Sequence, residues 1–408
     1  MTEFSPDSHD RRPGAIVLGG NFVGLGLVRS LGRRGVPTWV IDTDRKKSIA
    51  QFSRYCRRFI ETTEPVHEVL LREGRLHELQ GWVVFAVADD YVDALSTHFE
   101  ELAGMYRLTA QPANVTRIAL DKRATYAHAA ELGIDTPSTN TTSDVSTFDV
   151  ERITYPAILK PAINHRFFPH TNVKALKVQN GAELRRQFIR MTAFIPAEEI
   201  MIQEMIPGGG DTQFSFCAVA DKGRIFGSLV ARRRRQYPIE FGNASTFVET
   251  TRQPVVEANG RRFMEAIGFD GMGEIEFKFD RRDGKFKILD FNPRPWGWHT
   301  LGAAAGVDFA YLLWRHKVGL PIDEIKQRDA TWCREITDAV AIVKAHDRKA
   351  EFARLLRAAM SGRLTMATFK WLDPLPFFAE LVLWISSGIR RQKKAKSFSE
   401  LDPARSES

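Results

Sequence analysis

Glu274-Ile275-Glu276-Phe277, a short gap, then Ile288-Leu289-Asp290-Phe291-Asn292-Pro293-Arg294 is the stretch on which the reading turns. It reads as two β-strands joined by a hairpin, because the turn Asp280-Arg281-Arg282-Asp283-Gly284 sets Asp-Gly before a second apolar run. Glu276 and Asp290 then sit side by side on neighbouring strands. Asn292, two residues beyond Asp290, points to the same face. Two carboxylates and an amide oxygen make a hard, oxygen-only cage, which suits Mg²⁺ with its shell completed by water and phosphate oxygens. Arg294 extends from the same face as a fixed positive charge. Carboxylates, amide and arginine in this order suggest handling of a nucleoside triphosphate. The plain alternative is a solvated, acid-rich hairpin. Pro293 and Pro295 stop the strand where a site would open, and Trp296-Gly297-Trp298-His299 follows at once.

The 408 residues allow two or three domains of roughly 100–200 residues each. A hydrophobic fraction of 43% permits large cores. The net charge of +8 is concentrated in Arg232 to Arg235 and in the tail Arg390-Arg391-Gln392-Lys393-Lys394. Such patches fit phosphates, acidic substrates or anionic lipid. No helix-turn-helix or zinc-finger signature is present, so nucleic acid is not expected as a partner. Cys56, Cys217 and Cys333 are few, odd in number and far apart, which argues against a disulfide framework or zinc cluster and for a reducing cytoplasm. Met1 to Pro13 is polar, lacks an apolar signal core and reads as disordered. No run reaches the roughly 20 apolar residues that span a bilayer.

Residues 15–41 read as strand, glycine turn, helix, strand, which is a βαβ unit. The turn Gly19-Gly20-Asn21-Phe22-Val23-Gly24 does not match G-x-G-x-x-G, so a nicotinamide or flavin site is not expected there. A further strand over 82–87 ends at Asp89-Asp90. Residues 14–112 therefore read as an open α/β domain. Ile118 to Leu132 reads as one helix, closed by Gly133 and Pro137. From residue 153 onward strands and helices segregate rather than alternate, which indicates α+β layers. Residues 326–408 read as a mostly helical extension with a basic tail. Lys160 ends the apolar strand Tyr155-Pro156-Ala157-Ile158-Leu159, where its charge needs an anionic partner or must snorkel to solvent.

These elements, in order, are similar to the ATP-grasp superfamily, in particular its carboxylate–amine ligase-like members. The resemblance rests on Asp121-Lys122, on Tyr155 to Pro161, on Gln203-Glu204-Met205-Ile206-Pro207-Gly208, on Glu274 to Phe277 and on Asp290 to Arg294. It covers roughly residues 14–320. It implies a pre-ATP-grasp domain over 14–112, an ATP-grasp domain over 113–325 with lobes at about 120–195 and 196–320, and the extension beyond. It implies Lys122 and Lys160 on ATP phosphates. Gln203, Glu204 and the backbone of Met205 and Ile206 would form the adenine hinge, with Asp211 toward the ribose. Glu276, Asp290 and Asn292 would bind Mg²⁺ or Mn²⁺, and Arg294 would stabilise charge during transfer. The implied activity is ADP-forming ligation, a carboxylate passing through an acyl phosphate to an amide. Members often carry a glycine-rich loop after the second lysine. Here Ala162 to His170 has no glycine, leaving Arg166 or His165 as substitutes, or Lys174 or Lys177 from the following strand.

Four consecutive arginines on a strand put two on each face. Arg233 and Arg235 are expected inward, forking onto an acid substrate, and the other two outward. His299 is either a base for the incoming amine or structural. Phe377 to Ile385, with the basic residues up to 396, is too short to span but suits the interface of an anionic membrane at the inner face; packing on the body or in a homodimer is the alternative. Two rival functions are a nucleotide-binding regulator or membrane-associated scaffold without turnover, and a nicotinamide-dependent oxidoreductase. The intact Glu/Asp/Asn/Arg set argues against the first and the broken glycine fingerprint against the second.

Overall fold

The computed structural model describes residues 12–237 and 244–385. Of the N-terminus expected to be disordered over 1–13, residues 1–11 lie outside the described residues, as do the segment 238–243 after the arginine run and the basic cluster beyond residue 385.

The chain begins with a parallel sheet of β1 (Ala15–Leu18), β2 (Thr38–Asp42), β3 (Cys56–Glu61), β4 (Val83–Ala86) and β5 (Arg107–Leu108), in the order β3-β2-β1-β4-β5. β1 is apolar throughout because both its faces are covered. Ala15 and Val17 enter one core, Ile16 and Leu18 another. The glycine turn after β1 is closed by the chain's own side chains. A Cβ on Gly20 would lie 1.6 Å from Ser48 Oγ, and Asp42 Oδ2 takes the Gly20 N–H at 2.7 Å. Asn21 caps the helix Phe22–Gly32 by accepting from the Val23 and Gly24 amides.

A four-stranded antiparallel sheet follows, built from β6 (Thr139–Thr141), β7 (Ala157–Pro161), β8 (Leu176–Val178) and β9 (Ile200–Glu204) in the order β6-β9-β7-β8. A seven-stranded sheet completes the body, with β10 (Gln213–Asp221), β11 (Arg224–Tyr237), β12 (Ala244–Thr251), β13 (Gly271–Asp280), β14 (Lys285–Asn292), β15 (Thr331–Cys333) and β16 (Leu364–Met366). Its order is β14-β13-β10-β11-β12-β15-β16.

Three elements differ from the sequence reading. The expected single helix over 118–132 is two, Ala113–Leu120 and Lys122–Glu131. Asp121 leaves the helical conformation between them and caps the second through the Arg123 amide at 3.0 Å. The glycine-free segment after Lys160 is the helix Asn164–Thr171. The C-terminal extension is not only helical. β15 pairs with β12 and β16 with β15, so residues beyond 325 extend the main sheet. Among the described residues no helix is long and apolar enough to cross a membrane.

Candidate functional site

A cavity of about 400 Å³ opens between the four-stranded and seven-stranded sheets. Its floor is the β13–β14 hairpin. The antiparallel register sets Glu276 opposite Asp290 and Glu274 opposite Asn292, as the hairpin reading requires. The register slips between Glu276 and Phe277, leaving Leu289 bulged. The Leu289 carbonyl accepts the Tyr126 hydroxyl at 2.9 Å. Asn292 Nδ2 lies 3.2 Å from Glu274 Oε2 and 3.3 Å from Glu276 Oε1, and its Oδ1 accepts from Arg294 at 3.2 Å. Glu274 is buried beneath this layer and bonded to Ser215 Oγ at 2.8 Å. Burial, then the nearby Glu276 charge, pushes its carboxyl up to about 8.

Cations face these acids. Lys122 Nζ is 2.9 Å from Asp290 Oδ1, and Arg233 reaches Glu276 Oε2 at 3.2 Å. Burial pulls the Lys122 ammonium down, but Asp290, Tyr126 and Asp89 outweigh it and hold it above its ordinary value. Lys160 stands on β7 and donates to Tyr126 Oη at 2.8 Å. Burial and the adjacent Lys122 charge lower its ammonium to about 7. Lys174 lines the same cavity and is likewise lowered, chiefly by burial. Arg294 is bound to Asp89, which stands just beyond β4 in the first domain. Arg294 thus ties the parallel sheet to the hairpin.

The residues expected at the hinge, Gln203, Glu204, Met205 and Ile206, all line the cavity. The Glu204 carboxylate is engaged by Lys287 at 3.0 Å, Arg282 at 2.7 Å and the Ser138 amide at 3.0 Å. The Gln203 amide nitrogen donates to Tyr126 Oη and Thr139 Oγ1.

Three expected residues lie elsewhere. Arg235 is not inward: it forks onto Asp338 at 2.8 and 2.7 Å, reaches Glu351, and stacks 4.1 Å from the Phe247 ring centre. The reason is a bulge. Arg233 pairs with Val248 and Arg235 with Phe247, so the extra residue Arg234 breaks the alternation that would have put both arginines on one face. His299 is buried outside the cavity, with Nε2 3.1 Å from the Val23 carbonyl, and burial lowers its imidazole to about 4. It is neutral at pH 7 and packs on the first-domain helix, where a Cβ on Gly26 would lie 2.6 Å from Nε2. Asp211 sits beside the rim and pairs with Arg281 at 3.4 Å. Of the lid substitutes, Arg166 pairs with Glu199 and His165 lies 3.7 Å from Asp93, while Lys174 reaches the cavity.

Four residues went unassigned in the sequence reading. Tyr126 follows Lys122 by four on one helix and so shares its face. Glu274 and Lys278 flank Glu276 at two-residue spacing on β13. Asp89 sits at the carboxyl end of a parallel strand, where ligands of open α/β sheets gather.

No family model matches the chain, and no curated protein matches it in sequence. Solved structures do match in shape. Biotin carboxylase from Campylobacter jejuni is 13% identical, with 80% of this chain and 76% of that chain covered and a TM-score of 0.64. L-amino acid ligase from Bacillus licheniformis is 15% identical, with 79% of each chain covered and a TM-score of 0.59. N5-carboxyaminoimidazole synthetase from Staphylococcus aureus is 15% identical, with 78% of this chain and 81% of that chain covered and a TM-score of 0.59. A likeness of this breadth at such low identity carries the architecture, and the architecture of this chain is the ATP-grasp fold.

Proposed function

We propose that this chain is an ADP-forming ligase, using ATP and Mg²⁺ to phosphorylate a carboxylate and couple the acyl phosphate to an amine. The observation that carries the reading is the meeting, in one cavity, of Lys122, Lys160 and Lys174 with Glu276, Asp290 and Arg294. Among proteins of similar fold are an L-amino acid ligase and a biotin carboxylase solved as a beta-gamma-ATP complex.

A carboxylate resists attack by an amine because its charge is delocalised and its oxygen is a poor leaving group. Transfer of a phosphoryl group makes that oxygen a good leaving group. The chain's part is to position the reactants and to offset the negative charge on the transferring group. Lys122 and Lys160 hold phosphate oxygens from β7 and from the start of the Lys122 helix. Arg294 places a guanidinium beside them. The backbone of Met205 and Ile206 offers the adenine edge its hydrogen-bonding groups, while Lys287 and Arg282 keep the Glu204 carboxylate engaged away from it.

The donor set fits a hard cation. Among the described residues no three His, Cys, Asp or Glu side chains are grouped to hold a metal. Glu276 and Asp290, paired across the hairpin, with the Asn292 amide beside them, would be the protein's share for Mg²⁺, which draws its remaining ligands from phosphate and water. Glu276, Asp290 and Asn292 would hold it, and bound there it would neutralise charge on phosphate oxygens.

The test is release of ADP and phosphate from ATP in the presence of pooled carboxylic acids and amines. Acid-dependent ADP release is expected. Asp290→Ala is expected to lower it by a factor of about 10²–10³, the size of a lost preorganised electrostatic group. Formation of AMP and pyrophosphate would replace the acyl-phosphate route with adenylation. Unchanged turnover in folded Asp290→Ala would remove the metal assignment.

A further inference from the structure

The C-terminal extension carries a surface patterned against the usual rule. A helix packed on a globular body turns its apolar stripe inward. The helix over residues 375–385 is instead held partly by polar groups. Glu380 pairs with Arg334, and Asp373, just before the helix, accepts from Arg29 Nε at 2.8 Å, Ser53 Oγ at 2.6 Å and the Arg54 amide at 2.9 Å. Its outer stripe is Leu375, Phe378, Val382 and Ile385, spaced by three and four residues, each more than half exposed. Trp371 and Leu372, in the turn before it, are 86% and 73% exposed. The helix Arg348–Met360 repeats the pattern. It has no buried residue, and Phe352, Leu356 and Met360 form an exposed stripe at four-residue spacing. Arg348, Lys349, Arg354 and Arg357 share this helix with one acid, Glu351, which is turned to Arg235.

We propose that these exposed stripes of the extension dock on an anionic lipid bilayer. Apolar and aromatic side chains beside arginine and lysine are the composition of helices that lie in the headgroup region, the rings entering the acyl boundary and the cations meeting lipid phosphates and carboxylates. The sequence directly beyond the helix adds Arg390, Arg391, Lys393, Lys394 and Lys396 with no acid among them. That charge selects the partner. Two copies of this chain, each at +8, would bring like charges together, whereas an anionic leaflet draws them in. A spanning mode is not required, since no described helix is long enough for one.

Flotation of the full chain with phosphatidylcholine vesicles, with and without phosphatidylserine, tests this. Affinity is expected to be at least about tenfold higher on the serine-containing vesicles and to fall with salt. The double substitution Phe378→Glu with Val382→Glu should abolish flotation while leaving circular dichroism and the ATP-induced melting shift unchanged. If that variant does not fold, Trp371→Ser with Leu372→Ser serves, since both lie in the exposed turn. Equal binding to both vesicles, or none, overturns the proposal. So does a concentration-dependent dimer in sedimentation that the same substitutions dissociate, which would make this face a contact between copies.

Discussion

Lys160 is the residue whose charge is most delicately set. Its ammonium is lowered to about 7 by burial and by Lys122, with Asp290 and Glu276 pulling the other way. The sign of the consequence follows directly. In the free protein Lys160 is charged below pH 7 and loses its proton as pH rises through that value. A polyphosphate bound beside it favours the charged form and restores the proton. Binding of ATP is therefore expected to take up about one proton at roughly pH 8 and close to none at roughly pH 6. Calorimetry in two buffers of different ionisation enthalpy measures this uptake. Lys160→Arg, which stays charged throughout, should bind without it. Equal uptake in the variant and the parent would mean that Lys160 does not sense the nucleotide. Tyr126 holds the ammonium in place, its hydroxyl accepting from Lys160 Nζ at 2.8 Å.

Strand geometry decides which of the charged residues reach the cavity. The β13–β14 hairpin was legible in the sequence because Asp-Gly marks its turn and side chains alternate with period two. Those two rules give the hairpin, but the pairing of Glu276 with Asp290 also needs the bulge at Leu289, because the regular register from the turn would set Glu276 opposite Leu289. The arginine run defeated the same rule because one bulged residue resets the alternation, and nothing in four identical side chains announces a bulge. β15 and β16 escaped because three-residue strands carry too little periodicity to be seen, and the pairings of β15 with β12 and of β16 with β15 are long-range contacts. Asp89 was missed because its contact with Arg294 depends on how two domains pack. The displaced Arg235 gives a test at this level. Its guanidinium anchors the helices Glu335–Lys344 and Arg348–Met360 to β11 through Asp338 and Glu351, with Arg235 and Asp338 fully enclosed. Arg235→Ala leaves a buried carboxylate unpaired and should cost about 3–5 kcal/mol of stability. Urea unfolding measures it. The substrate KM of the folded fraction should be unchanged, and a raised KM with little loss of stability would return Arg235 to the substrate site.

Two sheets line one cavity, and the first domain takes part in it through Asp89. Burial works against this carboxylate, but Arg294 outweighs it and holds its pKa below the usual range. Arg294 is in turn held charged by Asp89, and the two groups compensate each other away from water. Removing one partner of such a pair exposes the full cost of burying the other. Asp89→Asn keeps the shape and removes the charge, so the free variant should melt lower, by the equivalent of about 3–5 kcal/mol. Nucleotide changes the comparison. If Arg294 faces the transferring phosphate, the phosphate supplies the missing negative charge, and ATP should stabilise Asp89→Asn more than it stabilises the parent. Thermal melts of both proteins with and without ATP and Mg²⁺ measure the difference. A larger ATP-induced shift in the variant places Arg294 on the nucleotide. An identical shift confines the Asp89–Arg294 pair to holding the first domain on the hairpin, and leaves the phosphoryl charge to Lys122 and Lys160.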